Sequence, residues 1–169
     1  MKQAFTSKRT SINSGKIPKA YTIYEEKYGG FRPGSTILDY GGGKFDNAVH
    51  YMAKKGCNVM IYDPYNRTVL HNNKVLSHFR HRAPDYIICC NVLNIIKEDE
   101  IVEKIVAKIK RLSDRHTVVI FKIWPGNKLG RGMATGDDQW QRNQKLEEYL
   151  PVIRKYFPNA EKKYDLIVA

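Results

Sequence analysis

The chain has 169 residues, with 29 Lys and Arg against 17 Asp and Glu, for a formal net charge of +12. That length suits one domain with a full core, and no accessory domain is expected. No run of 18 apolar residues and no signal-peptide core is present, which excludes a membrane-spanning helix and makes a cytoplasmic protein the expectation. Three cysteines do not build a disulfide framework, and Cys89 and Cys90, adjacent in one predicted strand, are expected to point to opposite faces as small core residues.

In chain order, residues 1–34 form a basic N-terminal segment. It carries Lys2, Lys8, Arg9, Lys16 and Lys19 and no acidic residue before Glu25. The run Thr36-Ile37-Leu38-Asp39-Tyr40 predicts a strand over 36–40 that ends at Gly41-Gly42-Gly43. Glycines there let the backbone turn at positive φ and approach a ligand, and a helix near 45–55 opens onto the turn. A second strand near 58–62 ends in Asp63, twenty residues after Gly43. A carboxylate at the tip of the second strand of a βαβ unit is placed to accept ribose hydroxyls.

A helix follows near 68–79. The stretch 67–82 holds Arg67, Lys74, Arg80 and Arg82 with His71, His78 and His81 and no acid. Their spacing matches no standard zinc pattern and no Cys or carboxylate completes a set, so no metal is expected. A strand near 86–91 leads to Asn91 and Asn94. A helix near 98–112 shows an apolar stripe of Ile101, Val102, Ile105, Ile109 and Leu112, and a strand near 116–123 closes the core over 35–123.

Residues 124–138 then read as a long loop with four glycines, Lys128 and Arg131, which predicts a mobile lid over an anionic acceptor, with Trp124 at its base. Asp137 or Asp138 is expected to N-cap a helix near 139–157, kinked at Pro151, whose amides Gln139, Gln141 and Asn143 are placed to read base edges. A strand near 163–168 ends the chain. The alternation predicts a single α/β domain, a Rossmann-like and mostly parallel sheet with helices on both faces.

The turn's third position separates two nucleoside cofactors. A dinucleotide fingerprint needs G-x-G-x-x-G, whereas here Gly41-x-Gly43-x-x is followed by Asp46, which repels a pyrophosphate and suits a cationic ligand. The pattern Asp39-x-Gly41-x-Gly43 followed by Asp63 resembles motifs I and II of the class I (Rossmann-like) S-adenosylmethionine-dependent methyltransferases. This resemblance implies S-adenosylmethionine as cofactor, with Asp39, Tyr40, Gly41, Gly42 and Gly43 at its methionine part and Asp63 on its ribose. Residues 85–94 look like the family's fourth strand, whose end lies beside the reactive methyl, and 116–123 like its fifth.

The sequence departs from the family where Phe45 stands at the third glycine and where an acidic residue commonly binds the adenine amino group. The run Cys90-Asn91-Val92-Leu93 also lacks the Asn/Asp-Pro-Pro-aromatic motif of amino-group DNA methyltransferases and the Pro-Cys of cytosine-C5 enzymes. Asn91, beside the cofactor, and Asn94 are then candidates to orient the acceptor or the methionine amino group. Gly130-x-Gly132-x-x-Thr135 followed by Asp138-x-x-Gln141-x-Asn143 is similar to small methyltransferase-like proteins of bacteria and their phages.

The expected activity is methyl transfer to nucleic acid or a nucleotide-like molecule, with Asn94, Trp124, Arg131, Gln141 and Asn143 near the acceptor. Segments 1–19 and 67–82 are expected to contact the nucleic acid through their charge. Two other readings share the fold: a module that binds nucleic acid or a partner without turnover, and a lyase that consumes S-adenosylmethionine.

Overall fold

The computed structural model describes residues 3–10 and 15–169. Part of the basic segment 1–19, Lys2 included, lies outside the described residues. The strands are β1 (Thr36–Tyr40), β2 (Asn58–Tyr62), β3 (Tyr86–Cys90), β4 (Val118–Lys122), β5 (Met133–Gly136), β6 (Gln139–Gln141), β7 (Glu161–Lys163) and β8 (Leu166–Val168). The helices are α1 (Lys19–Tyr28), α2 (Asn47–Ala53), α3 (Val69–His78), α4 (Asp99–Leu112) and α5 (Leu150–Arg154). The main sheet runs β2-β1-β3-β4-β8-β7, parallel from β2 to β4 and antiparallel from β4 onward; β5 and β6 form a separate hairpin.

Side chains alternate across the sheet as the period of two requires. Leu38, Ile87, Cys89, Val119, Phe121 and Ile167 pack on one face with Val75 of α3, Val102, Val106 and Ile109 of α4 and Ile153 of α5. Ile37, Val59, Ile61, Ile88, Ile120 and Leu166 pack on the other with Ala20, Tyr21 and Tyr24 of α1 and Ala48 and Met52 of α2. Cys89 and Cys90 therefore do point to opposite faces. Helices cover both sides, and a parallel sheet so covered reads as continuous apolar runs.

Three elements differ from the sequence reading. Helix α1 was not anticipated. It begins after Pro18 and ends at Gly29, whose φ of 81° is the left-handed C-cap conformation. The helix expected over 139–157 is instead β6, a 3-10 turn at Leu146–Tyr149 and the short α5. Asn143 has φ 57°, which no α-helix accommodates, and Pro151, at the first turn of α5, can only start a helix. Gln139 consequently opens a strand, and neither Asp137 nor Asp138 caps a helix. The strand expected over 163–168 is a hairpin that turns at Tyr164 (φ 55°).

The strand likened to the family's fourth is the third of this chain. Between Asp63 and Asp85 the structure has α3 and no strand, so β2 is an edge. Among the described residues, no helix is long and apolar enough to cross a membrane.

Candidate cofactor and acceptor site

The turn after β1 is fixed from both sides. Gly41 and Gly43 have φ of 81° and 76°, and the Gly41 N–H donates to the Tyr62 carbonyl at 2.7 Å. A Cβ on Gly41 would lie 2.3 Å from Val92 Cγ2, and one on Gly42 would lie 2.7 Å from Asp39 Cγ. Only glycine at both positions lets the backbone pass between the carboxylate at the end of β1 and the side chain beyond β3.

Asp63 binds that turn to β2. Its Oδ2 accepts the Gly43 N–H at 2.9 Å, while Oδ1 accepts the N–H groups of Tyr65 (3.0 Å) and Asn66 (2.8 Å) and the Asn66 amide (3.3 Å). A carboxylate oxygen accepts about two hydrogen bonds, and the Gly43 N–H takes one of them at Oδ2. Asn72, on α3, holds the Asp63 backbone from both ends: its Oδ1 accepts the Asp63 N–H at 3.0 Å and its Nδ2 donates to the Asp63 carbonyl at 2.8 Å. Arg67 completes the frame, donating from Nε to the Gly43 carbonyl and from Nη2 to Asp46 Oδ1, both at 2.8 Å.

Asp39 is 1% exposed and accepts the Tyr21 hydroxyl at 2.9 Å. Burial pushes its carboxyl up to about 7; the Tyr21 hydrogen bond opposes that shift and the nearby Asp63 charge adds to it. Neither Tyr21 nor Asn72 was singled out in the sequence, because a lone Tyr or Asn on a helix carries no motif.

Tyr40 turns its side chain into the core. Its ring lies on the face opposite Asp39 and packs 5.0 Å from Tyr62, whose hydroxyl accepts Lys108 Nζ. Asn91 is exposed at the end of β3 with φ 57° and donates its N–H to the Lys122 carbonyl at 2.7 Å. Burial pushes the thiol of its neighbour Cys90 up to about 12, which disfavours the thiolate.

Three expected substrate residues are buried and bonded internally. Asn94 Nδ2 donates to Gln141 Oε1 at 3.1 Å, and Gln141 Nε2 donates to the Trp124 carbonyl at 3.2 Å. Asn143 Nδ2 donates to the Arg131 carbonyl at 3.0 Å, and its Oδ1 accepts the Asn127 N–H at 3.2 Å. Gln141 and Asn143 thus present no edge to a base. They tie down residues 124–131, so the expected lid is braced, and its end pairs as the β5–β6 hairpin. Two of its glycines serve packing: a Cβ on Gly126 would meet Asn143 Oδ1 at 2.1 Å and one on Gly132 would meet Trp140 Cζ2 at 2.5 Å. Trp124, at 57%, and Arg131 remain exposed.

The covering element over this edge is the N-terminal segment. Thr6 donates its N–H to Asp138 Oδ1 at 2.7 Å and its hydroxyl to Asp138 Oδ2, and the Ser7 N–H donates to the Asp138 carbonyl at 2.9 Å. Ala4 donates to Glu98 Oε1 at 3.0 Å, Phe5 packs 5.5 Å from Trp140, and Gln3 Oε1 accepts the Tyr65 hydroxyl at 3.0 Å, two residues past Asp63. The second basic segment, 67–82, does not form one surface. Arg67 and His71 bond inward, His71 to the Ile61 carbonyl at 2.7 Å, whereas Arg80 and Arg82 lie in the connection entering the amino end of β3, away from the glycine turn.

Two grooves flank the site. One of about 380 Å³ lies at the β2 edge, lined by Asp46, His50, Arg67, His71 and Lys74 among apolar residues. The other, of about 310 Å³, lies beyond β4 and is lined by Ile123, Pro125, Lys128, Lys145, Lys162 and Tyr164 with Leu146, Glu147 and Asp165.

No family model and no curated protein matches this sequence. Solved structures do match it in three dimensions. A 1,6-didemethyltoxoflavin N1-methyltransferase from Burkholderia thailandensis, with 1,6-didemethyltoxoflavin and S-adenosylhomocysteine bound, superposes with a TM-score of 0.62 at 15% identity, over 89% of this chain and 74% of that one. An S-adenosylmethionine-dependent methyltransferase from Clostridium acetobutylicum gives 0.56 at 15% identity over 90% of each chain. The chain has the class I methyltransferase fold. A TehB-like S-adenosylmethionine-dependent methyltransferase from Corynebacterium glutamicum agrees, with a TM-score of 0.51 at 16% identity over 95% of this chain and 91% of that one. In this methyltransferase fold Asp39, the three glycines and Asp63 stand together at the carboxyl ends of β1 and β2, the edge where open α/β sheets place ligands.

Proposed function

We propose that the protein is an S-adenosylmethionine-dependent methyltransferase acting on nucleic acid or a nucleotide-like acceptor. The observation that carries this reading is the junction of Gly43 and Asp63, which brings a glycine turn and a hydroxyl-accepting carboxylate to the tips of two adjacent parallel strands. The residues present fit that cofactor better than a dinucleotide. Asp63 sets a negative field at the turn, which Asp39 joins only in its ionised form, and Arg67 is committed to Asp46 and the Gly43 carbonyl rather than to a phosphate. The S-adenosylhomocysteine held by the Burkholderia enzyme supports the same choice.

When bound, S-adenosylmethionine supplies an electrophilic methyl on a sulfonium that leaves as a neutral thioether. The protein's part is then proximity and dryness more than acid–base chemistry. Asp63 Oδ2 takes a ribose hydroxyl, the glycine turn lets the backbone approach, and Asn91 holds an exposed amide between turn and acceptor. Residues 3–10 shield this edge from water. The net charge of +12 favours an anionic acceptor by long-range attraction.

Calorimetric titration with S-adenosylhomocysteine tests the cofactor, and mass spectrometry of nucleic acid incubated with the protein and S-adenosylmethionine tests the acceptor. Saturable binding and a methyl mass increment are expected. No heat and no thermal shift at millimolar ligand would overturn the reading.

A further inference from the structure

The groove beyond β4 lies on the same edge of the sheet as the glycine turn, and register explains why. Because β8 runs antiparallel to β4, with Ile120 opposite Val168 and Phe121 opposite Ile167, the hairpin turn at Tyr164 and Asp165 comes level with Ile123 at the carboxyl end of β4. In the order β1-β3-β4, two strand spacings of about 10 Å in all separate the two features. The end of β3, with Asn91, lies between them.

The lining is basic and aromatic. Asp165 is held by the buried Lys122 at 2.8 Å, and Glu147 faces Lys162 at 3.6 Å, so each carboxylate is matched by one lysine. Lys128 and Lys145 have no ion pair among the described residues and leave the groove in positive surplus. Tyr164, 52% exposed, has Lys27 and Lys163 over its ring at 5.7 Å and 5.5 Å. A large aromatic left half in solvent beside unpaired lysines suits a ligand that carries both a flat ring and phosphate.

We infer that this groove is a nucleotide-binding subsite, in which Lys128 and Lys145 take phosphate and Tyr164 takes a base. Calling its occupant the acceptor rests on the methyltransferase reading; the binding itself does not. None of these residues belongs to the basic segments 1–19 and 67–82.

Fluorescence anisotropy with a short labelled single-stranded oligonucleotide, and calorimetry with adenosine 5′-monophosphate, test the subsite. Lys128→Glu with Lys145→Glu should weaken oligonucleotide binding by about tenfold or more and lower the salt slope by about 0.7 per lost contact. Tyr164→Ala should weaken both probes about tenfold, the scale of one stacked base. Arg80→Glu with Arg82→Glu, at the opposite edge, should leave both affinities within about twofold. S-adenosylhomocysteine affinity should stay unchanged in all three, which also reports an intact fold. Monophosphate binding as tight as oligonucleotide binding would assign a free nucleotide; much tighter oligonucleotide binding would assign a strand. Wild-type affinity in the groove variants, or equal loss in the Arg80/Arg82 control, overturns the subsite. Failure of the wild type to bind S-adenosylhomocysteine while the groove variants behave as expected would instead remove the methyltransferase reading.

Discussion

The Asp63 carboxylate accepts the Gly43 N–H at 2.9 Å, so the tip of β2 and the turn after β1 form one unit although twenty residues separate them. The same carboxylate accepts the N–H groups of Tyr65 and Asn66. One side chain therefore shapes the turn and, in the proposed function, holds the ribose.

Asp63→Ala should cost in both roles. S-adenosylhomocysteine affinity should fall by about 1.5–3 kcal/mol, the scale of a hydrogen bond to a charged group. Stability should fall as well, because the partly buried N–H groups it served lose their acceptor, at about 1–3 kcal/mol for a group left unsatisfied. Asp63→Asn retains acceptor capacity at one oxygen and should lose less of each. Calorimetry and urea denaturation on the same samples check both; a variant that lost stability but bound normally would remove Asp63 from the cofactor site.

Gly41 and Val92 offer a cleaner test of the turn. Gly41→Ala must carry φ 81° and drive its Cβ to 2.3 Å from Val92 Cγ2. Left-handed backbone costs roughly 1–2 kcal/mol for a residue with a Cβ, and the overlap adds to it. Adding Val92→Ala deletes the clashing methyl but not the strain. The double variant should therefore recover part of the stability lost by Gly41→Ala, a non-additivity read by a double-mutant cycle. Full additivity would mean that the turn does not lean on Val92.

The strands 36–40 and 58–62 were legible because each is a short apolar run stopped by a polar tip, and burial on both faces leaves no competing period. The segment 139–157 misled for a physical reason. Leu146, Ile153 and Phe157 are buried, as a helical stripe would place them, but a 3-10 turn followed directly by the short α5 satisfies that spacing equally well, and the positive-φ Asn143 breaks the chain before it. Asn94, Gln141 and Asn143 looked like ligand amides because pairing between distant polar residues leaves no trace in one sequence. The docking of residues 3–10 was hidden in the same way, since Thr6 meets Asp138 across 132 positions. Glycines at 126 and 132 read as mobility, whereas each admits a neighbouring side chain.

Asp39 should give stability a pH dependence of defined sign. Its carboxyl titrates near 7 in the fold against 3.8 unfolded. The native state thus holds a proton that the unfolded state releases, and this contribution is full below about pH 4 and is lost as pH rises toward 7. Its size is on the order of 4 kcal/mol. Asp39→Asn keeps an acceptor for the Tyr21 hydroxyl and removes the ionisation. Asp85, Asp114 and Glu147, whose carboxyls lie below the usual range, act in the opposite direction, so the difference between wild type and variant isolates Asp39. That difference should favour the variant increasingly from pH 4 to 7. A flat difference in urea-denaturation series across this window would show that Asp39 ionises freely.

Asp138 anchors the segment that covers the site. It accepts both the N–H and the hydroxyl of Thr6, and these donors hold its carboxyl below the usual range. Asp138→Ala removes both bonds but spares the Ser7 N–H on the carbonyl of residue 138 and the packing of Phe5 on Trp140. Residues 3–10 should then exchange amide hydrogens faster, and trypsin should cut sooner after Lys8 or Arg9. The urea midpoint should stay unchanged, because local opening does not need the sheet to unfold. Gln3 reaches Tyr65 beside Asp63, so release of the segment should also speed S-adenosylhomocysteine dissociation in a stopped-flow displacement. In the wild type the same release should follow acidification: the stabilisation is present above the ordinary carboxylate pKa and lost as pH falls through the depressed one. Unchanged exchange over residues 3–10 in Asp138→Ala would show that Ser7 and the Phe5–Trp140 contact hold the segment without the carboxylate. Faster exchange with unaltered ligand dissociation would show that the segment covers the edge but does not gate it.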